Sequence, residues 1–289
     1  MELSIVIPTH DFDCSALAAE LSRQCAACSE LDRYEIIVVD DHSATPHPAL
    51  LSPNSLLLNS PSCGRAAARN AGISRATGDW LLLVDADAAV PSSAFIRNYV
   101  EAVTPEAQVI IGGVRTLSQY ATSRNRLRYR YETASQKRHT LAYRNTHPYH
   151  NFSVFNAMLR RSLFDTLQFE VSLLQYGHED TLLGMQLQEL GIPIIHIENP
   201  LVHTGIDDNS LFLEKTEQGL QNLYALRESL RPVSKLIQLA DRLQPISSLL
   251  RPLHRLSAPA LRRNLLGKHP SLLCFKLYKI GYYLSLCTR

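Results

Sequence analysis

Short apolar runs alternate with segments of helical periodicity through the first two thirds of the chain. The runs have the length of strands buried on both faces, and their alternation with helices is typical of a parallel sheet with crossover helices. The predicted strands are 3–7, 35–39, 56–58, 80–84, 109–111, 153–159 and 192–197. Helices are predicted at 64–76, which Gly78 would close as a left-handed cap, and at 178–190. The pattern therefore predicts an α/β fold.

Acidic pairs follow two of these predicted strands. Asp40 and Asp41 end the second strand, and Asp85 and Asp87 end the strand at 80–84. The carboxyl ends of parallel strands meet at one edge of an open sheet, where α/β proteins bind ligands. One pocket is therefore expected to hold both pairs.

The Asp85-x-Asp87 pair suits a divalent cation. Mg²⁺ and similar hard ions take oxygen ligands, commonly one or two carboxylates plus the phosphates of a substrate. Aspartate is also common in turns, so the pair alone is weak evidence. Here it follows an unbroken apolar strand and is followed by Ala88, Ala89 and Val90, which offer no cationic partner. That context favours a metal site.

Four sequence blocks resemble the inverting family 2 glycosyltransferases. They occur in the family's order: SIVIPTHDF at 4–12, IIVVDDHS at 36–43, GRAAARNAGISRATGDWLLLVDADAAVP at 64–91 and GHEDTLLGMQLQELG at 177–191. The resemblance covers about residues 3 to 205. It implies a GT-A-like nucleotide-sugar-binding domain with a mostly parallel central sheet.

The resemblance assigns the donor nucleotide to the ends of the first two strands. Pro8 and Thr9 would border the base, and Asp40 would accept a hydrogen bond from a uracil-type ring, with Asp41 as its neighbour. Arg69 corresponds to the family's donor-side arginine. The alternative for Arg69 is an ordinary solvated helix arginine.

The resemblance also implies a Mn²⁺ or Mg²⁺ cofactor. Asp85 would meet the ribose or the metal, and Asp87 the metal. His203 lies where some GT-A enzymes have a further metal ligand, although a lone histidine is more often structural. We predict Asp85, Asp87 and His203 as the metal-binding residues.

The block at 177–191 would supply the catalytic base. In an inverting single displacement, the acceptor hydroxyl loses its proton as it attacks, and a nearby carboxylate can take that proton. Asp180 matches the family's base, and Glu179 is the alternative. Either acid could instead be a helix N-terminal residue favoured by the macrodipole. The chain lacks the Gln-x-x-Arg-Trp signature of processive synthases, so addition of a single sugar is expected.

The net charge of +2 hides an uneven distribution. Residues 231–289 contain seven Arg and four Lys against the single acid Asp241, a charge of +10, which leaves −8 for residues 1–230. No run of 18 apolar residues predicts a spanning helix. In the segment 272–286, Lys276, Lys279 and Tyr283 share one helical face, which favours docking on a membrane surface. The alternative is a helix packed on the catalytic domain.

We accordingly predict a GT-A-like catalytic domain at 1–208, with a nucleotide-binding half at about 1–113 and an acceptor-binding half at about 114–208. A helical basic extension follows at 209–289. The predicted enzyme transfers a sugar from a nucleoside-diphosphate sugar, expected to be UDP-linked, to a hydroxyl of a glycan or lipid-linked acceptor. Without a visible secretory signal, it is expected in the cytoplasm, peripheral at the inner face of the cell membrane.

Two other functions are compatible with some of these features. A nucleotidyltransferase acting on a sugar phosphate would use similar acids, but it should also carry a cationic phosphate-binding signature that the sequence lacks. A non-enzymatic protein could bind nucleic acid through the basic tail. The tail has no recognised nucleic-acid-binding motif and the body is acidic, so no nucleic-acid partner is expected.

Overall fold

The computed structural model describes residues 1–45, 47–48, 53–150, 152–171 and 177–287. The strands in chain order are β1 Glu2–Thr9, β2 Arg33–Asp40, β3 Ser55–Asn59, β4 Trp80–Val84, β5 Ala88–Ala89, β6 Val109–Ile111, β7 Val114–Thr116, β8 Asn156–Arg160, β9 Ile194–His196 and β10 Leu201–His203. The α-helices are α1 Ser15–Ala26, α2 Arg65–Arg75, α3 Phe95–Glu101, α4 Arg126–Ser135, α5 Leu141–Thr146, α6 Glu179–Glu189, α7 Asn209–Ala225, α8 Arg227–Leu230, α9 Lys235–Leu243, α10 Ser247–Leu266 and α11 Leu272–Leu286.

Seven strands form the main sheet in the order β3-β2-β1-β4-β8-β6-β9. The pairs from β3 to β4 are all parallel, as is β6 with β9. Strand β8 is antiparallel to both of its neighbours, and its first residue, Asn156, pairs with Val84 at the end of β4. The amino end of β8 therefore lies at the same edge as the carboxyl ends of β1, β2 and β4. The predicted α/β fold with a mostly parallel central sheet is confirmed.

A second sheet of three short strands has the order β5-β10-β7. Strand β10 runs antiparallel to β5 and parallel to β7. In this register His203 pairs with Ala88, one residue after Asp87. The apolar pattern does not predict this sheet, because its strands are only two or three residues long and β7 and β10 include the polar residues Arg115 and His203.

The main sheet is apolar on both faces, as its sequence pattern predicts. Strand β4 is buried along its whole length. Helix α2 packs closely on the sheet through Gly72, where an added Cβ would lie 2.4 Å from Cγ1 of Val6 on β1. The glycine thus allows the helix backbone to approach the strand.

The predicted left-handed cap at Gly78 is wrong. The described glycines with positive φ are Gly64, Gly113, Gly177 and Gly191. Helix α2 instead ends at Arg75, and its C-cap residue Ala76 has an extended backbone. A Cβ at Gly78 would lie 2.8 Å from the backbone nitrogen of Ser4, so the glycine is required for close packing and not for its φ.

By contacts the described chain divides into two units. The first comprises 1–117, 136–171 and 179–205, and it contains both sheets and every predicted site residue. The second comprises 118–135, 177–178 and 206–287 and is built from α4 and α7–α11. The predicted helical C-terminal region is confirmed, and the second unit also includes α4 from earlier in the chain. The domain boundary proposed at 208/209 stays a prediction.

Helix α11 does not present the predicted face. Tyr283 is buried within the second unit. The ammonium of Lys279 lies over the rings of Tyr131 and Phe275, at 5.1 and 4.7 Å from their centroids. The expectation of a free interfacial face formed by Lys276, Lys279 and Tyr283 is therefore wrong, because packing uses two of the three side chains. Within the described residues, no helix has both the length and the apolarity to span a bilayer.

Candidate functional site: a carboxylate cluster around a buried arginine

A buried arginine lies at the centre of the site. Arg69, on α2, is 1% exposed, and its guanidinium contacts three carboxylates. Nη2 donates to Oδ1 of Asp85 over 2.8 Å, while Nη1 lies 3.4 Å from both Glu179 Oε1 and Asp180 Oδ1. The solvated alternative for Arg69 is wrong. The charge is buried because three acids compensate it, as a buried cation requires.

The residues on either side of Arg69 explain its position. Ala68 is fully buried and small, so α2 can lie against the sheet. The side-chain amide of Asn70 forms two hydrogen bonds with the backbone of Phe169. It donates to the carbonyl over 2.9 Å and accepts from the N–H over 3.0 Å. The Phe169 ring lies under the guanidinium, with 5.4 Å from Cζ to the ring centroid. The Ala68-Arg69-Asn70 triplet therefore places the cation.

Asp180 reaches this cluster because of the direction of β8. Residues immediately before β8 bind its carboxylate, since the Ser153 hydroxyl and the Val154 N–H donate to Oδ2 over 2.9 and 3.0 Å. These residues lie at the edge where β4 ends. The first turn of α6 is thereby joined to the edge that carries Asp85.

The acids of the cluster have different protonation equilibria. Burial by itself would raise the pKa of Asp85, but Arg69, Arg65 and His203 together outweigh burial and lower that pKa. Burial raises the pKa of Asp180 to about 6; Arg69 opposes this, while the charges of Glu179 and Asp85 add to it. The pKa of Arg69 is raised, because its carboxylate neighbours outweigh burial. Asp85 therefore stays ionised, and Asp180 can exchange a proton near neutral pH.

Asp87 lies beside the small sheet. Its Oδ2 is 3.1 Å from Nε2 of His203, and its backbone carbonyl accepts from the N–H and the hydroxyl of Thr204 over 2.9 and 2.8 Å. A Cβ on Gly205 would lie 2.5 Å from Cβ of Asp87, so this position tolerates only glycine. Strands β5 and β10 thus bring together two residues predicted as metal ligands, 116 positions apart.

Asp87 and His203 form a donor set that fits a divalent cation. The partly exposed carboxylate of Asp87 and the imidazole of His203 offer one oxygen and one nitrogen on adjacent strands. Among the described residues, no group of three His, Cys, Asp or Glu side chains could hold a metal by itself. Two protein ligands completed by substrate phosphates are a usual arrangement for Mg²⁺ and Mn²⁺ sites of this kind. The residues fit a cation that binds together with a diphosphate.

The remaining predicted residues lie at the ends of β1 and β2. The Asp40 carboxylate accepts from the N–H of Ser43 over 3.1 Å and from the hydroxyl of the same residue. Asp41 is buried, and its Oδ1 accepts from the N–H of Gly64, which begins the turn into α2 with a φ of +112°. Thr9 is buried, and its hydroxyl donates to the carbonyl of Phe12 over 2.6 Å.

These contacts divide the nucleotide-side residues into two groups. Asp41 and Thr9 organise loops, whereas Asp40 and Pro8 are partly exposed at the edge.

Two residues that the sequence does not predict position the charged groups of the site. Ser153 binds Asp180, and Phe169 lies against Arg69. Nothing in the sequence near Ser153 identifies it, because its partner lies 27 positions away.

The family is established by comparison with known proteins. The model of glycosyl transferase family 2 matches residues 4–168, more than half of the chain. The chain therefore belongs to glycosyl transferase family 2. This confirms the resemblance that the four sequence blocks indicate.

Particular relatives are similar over part of the chain. An undecaprenyl-phosphate 4-deoxy-4-formamido-L-arabinose transferase from Sodalis glossinidius is 36% identical over 135 residues, 43% of this chain and 40% of the relative. The chain thus matches less than half the length of this curated relative.

Two solved structures are similar in fold. A mannosyltransferase from Pyrobaculum calidifontis in complex with GDP-mannose and Mn²⁺ has a TM-score of 0.52 and 16% identity, covering 99% of this chain and 85% of that one. Glucosyl-3-phosphoglycerate synthase from Mycobacterium tuberculosis in complex with Mn²⁺, UDP and glucosyl-3-phosphoglycerate has a TM-score of 0.51 and 15% identity, covering 77% and 78%. At these identities the similarity establishes the fold alone.

Proposed function

We propose that this chain transfers one sugar from a nucleoside-diphosphate sugar, with UDP as the expected carrier, to a hydroxyl of a glycan or lipid-linked acceptor. The observation that carries the proposal is the contact of Arg69 with both Asp85 and Asp180. It joins the acid at the end of the donor-binding strand to the proposed base at the start of α6. Donor and acceptor chemistry can therefore occur at one centre.

Asp180 is the proposed general base. Its raised pKa of about 6 suits proton transfer near neutral pH, where a base is most effective. Ser153 and Val154 fix the orientation of Oδ2. The Asp180 side chain is 22% exposed against 9% for Glu179, which supports Asp180 over Glu179.

The proposed reaction is a single displacement. The acceptor hydroxyl oxygen forms a bond to the anomeric carbon, and its proton passes to Asp180. The bond from the anomeric carbon to the phosphate oxygen breaks, and the electron pair leaves with the nucleoside diphosphate. Attack opposite the leaving group inverts the anomeric configuration.

The donor is proposed to bind along the edge formed by β1, β2 and β4. Asp40 and Pro8 would face the base, and Asp85 the ribose or the metal. Asp87 and His203 would hold Mn²⁺ or Mg²⁺, which when bound supplies positive charge to the diphosphate. The Mn²⁺ in the two similar structures supports a divalent cation for this chain.

The acceptor is proposed to be lipid-linked, with the enzyme peripheral at the inner face of the cell membrane. The undecaprenyl-phosphate named for the Sodalis glossinidius relative supports a polyprenyl-type acceptor. The excess of basic residues after Arg231 supports contact with an anionic surface. Membership of a glycosyl transferase family favours sugar transfer over the nucleotidyl transfer and nucleic-acid binding considered above.

A donor panel tests this function. The full chain is incubated with Mn²⁺ and each of a series of UDP-, GDP- and dTDP-sugars, and release of the nucleoside diphosphate is measured. We expect slow hydrolysis of at least one UDP-sugar, faster when a hydroxyl acceptor is added. Consumption of a nucleoside triphosphate with a sugar 1-phosphate, and no release from any nucleotide sugar, would contradict the proposal.

A further inference from the structure

Helix α10 presents a row of leucines to solvent. Leu249, Leu253 and Leu256 are 72%, 61% and 80% exposed. Their spacing of four and three residues places them on one side of the helix. Ile246, one turn earlier, extends the row and is 47% exposed. An exposed apolar row of this kind marks an interaction site.

The opposite side of α10 accounts for its folding. Leu265 is fully buried, and His254 packs against α11, where an added Cβ on Gly281 would lie 2.2 Å from its ring. The His254 ring also contacts the Tyr278 ring edge to face, with centroids 5.6 Å apart. Because α10 already has a packed side within the second unit, the leucine row is not needed to hold the helix in place.

Helix α10 also carries basic residues. Arg255 and Arg263 are exposed on the same helix, and neither forms an ion pair among the described residues. The sequence from 242 to 289 contains nine Arg and Lys and no Asp or Glu. A second copy pressed against this row would bring like charges together. Nucleic acid would accept the arginines but leave the leucines in water. An anionic bilayer satisfies both groups, with headgroups for the cations and the acyl boundary for the leucines.

We propose that α10 docks the enzyme on an anionic lipid bilayer. Leu249, Leu253 and Leu256 enter the boundary between headgroups and acyl chains, and Arg255 and Arg263 bind the lipid phosphates. The inserted row is about 10 Å long at the helical rise of about 1.5 Å per residue. The inference rests on the proposed function for its purpose, access to a lipid-linked acceptor, but the docking requires no donor and no catalysis.

Vesicle sedimentation of the full chain tests the docking. The vesicles contain equal parts of phosphatidylglycerol and phosphatidylcholine, and phosphatidylcholine alone serves as the neutral reference. Wild type should sediment with the anionic vesicles. Replacing the three leucines (Leu249→Gln, Leu253→Gln, Leu256→Gln) should lower the partition coefficient by at least about 100-fold at every salt concentration, because the apolar contribution is not screened.

A second variant separates the charge contribution. Arg255→Gln with Arg263→Gln should weaken binding by about 30-fold at low salt, from about 1 kcal/mol per basic residue. The difference from wild type should vanish near 1 M salt, where the Debye length is about 3 Å. Leu190→Gln is the matched control, because Leu190 is 58% exposed but lies in the first unit, and it should bind as wild type does.

Three outcomes would overturn the docking. The first is a wild type that does not bind anionic vesicles, and the second is a triple leucine variant that binds them as wild type does. The third is a wild type that is dimeric and does not bind vesicles, with a triple variant that is monomeric. Sugar transfer to a short soluble acceptor, measured on the same preparations, should be equal in wild type and triple variant. If no preparation transfers sugar while wild type still binds vesicles, the proposed function fails and the docking stands.

Discussion

At the scale of single residues, two acids that share one buried guanidinium have pKa values shifted in opposite directions. Arg69 is 2.8 Å from Asp85 but 3.4 Å from Asp180. Arg65 and His203 add to Arg69 in lowering the pKa of Asp85, whereas burial, together with the like charges of Glu179 and Asp85, outweighs Arg69 and raises the pKa of Asp180. One carboxylate is therefore held ionised and the other can take a proton. Acids whose pKa values are pushed apart in this way commonly have separate roles in catalysis.

Removing the guanidinium should destabilise the fold. Arg69→Met leaves three carboxylates without their buried partner, and breaking a buried ion cluster costs about 3–5 kcal/mol. Urea unfolding at pH 7 measures the loss. Arg75→Met, an exposed position on the same helix, should change the free energy of unfolding by less than about 0.5 kcal/mol. Equal stability of the two variants would show that Arg69 does not hold the cluster together.

The raised pKa of Asp180 predicts the pH dependence of catalysis. A base must be ionised to accept a proton, so kcat should rise about tenfold per pH unit below about 6 and level off above it. The raised pKa also affects the free energy of unfolding. The stabilisation from Asp180 is fully present below its ordinary pKa of 3.8 and is lost as the pH rises through about 6. A kcat that is constant from pH 5 to 8 would rule out this assignment.

The proposed metal ligands predict a binding defect. Asp87→Ala should abolish Mn²⁺-dependent binding of UDP in calorimetry and leave the fold intact, because the side chain is partly exposed and not part of the core. Asp79→Ala, at the opposite end of β4 and exposed, is the matched control and should bind UDP as wild type does. Unchanged Mn²⁺-dependent binding by the Asp87→Ala protein would move the metal elsewhere.

At the scale of helices and strands, the position of α2 determines the site. The helix carries both Arg69 and Gly72, and Gly72 lets its backbone approach β1. The sequence predicts the helix from its periodicity and the strand from its apolar run. The distance between helix and strand is set by the absence of a side chain at Gly72, and hydrophobic periodicity does not predict that distance.

A methyl group at position 72 should therefore be costly. Gly72→Ala places Cβ 2.4 Å from Cγ1 of Val6 and 3.0 Å from Cγ2 of Val39, so helix or sheet must shift. Overpacking of this size costs about 1–3 kcal/mol, more than the gain in helix propensity. Thermal unfolding should show a lower Tm, whereas Ser74→Ala, exposed two residues later, should not lower it. A higher Tm for Gly72→Ala would contradict the close packing.

The acidic strand ends were predictable and their meeting with Asp180 was not. The carboxyl ends of parallel strands meet at one edge of a sheet. Because β1, β2 and β4 are parallel, Asp40 and Asp85 lie at that edge. Asp180 reaches that edge only because β8 runs antiparallel and starts there. An apolar run in the sequence does not show whether the strand will be parallel or antiparallel to its neighbours. The pairing of His203 with Asp87 likewise depends on strands too short to leave a pattern.

At the scale of the whole molecule, the charge distribution was visible in the sequence but its location on the surface was not. The excess of +10 in residues 231–289 predicts an anionic surface as partner. The helical periodicity of α11 predicts the wrong exposed face, because Tyr283 is buried and Lys279 lies on aromatic rings. Which leucines of α10 are exposed depends on which side of that helix packs, and the sequence does not specify that side.

The most direct measurement on the central claim is the turnover of Asp180→Asn beside that of Glu179→Gln, with the UDP-sugar that the donor panel selects. The amide keeps the shape of the side chain and removes its basicity. We expect Asp180→Asn to lower kcat by about two to four orders of magnitude, with little change in Kd for UDP. Glu179→Gln should lower kcat much less. A near wild-type kcat for Asp180→Asn, or a larger loss for Glu179→Gln, would contradict Asp180 as the base.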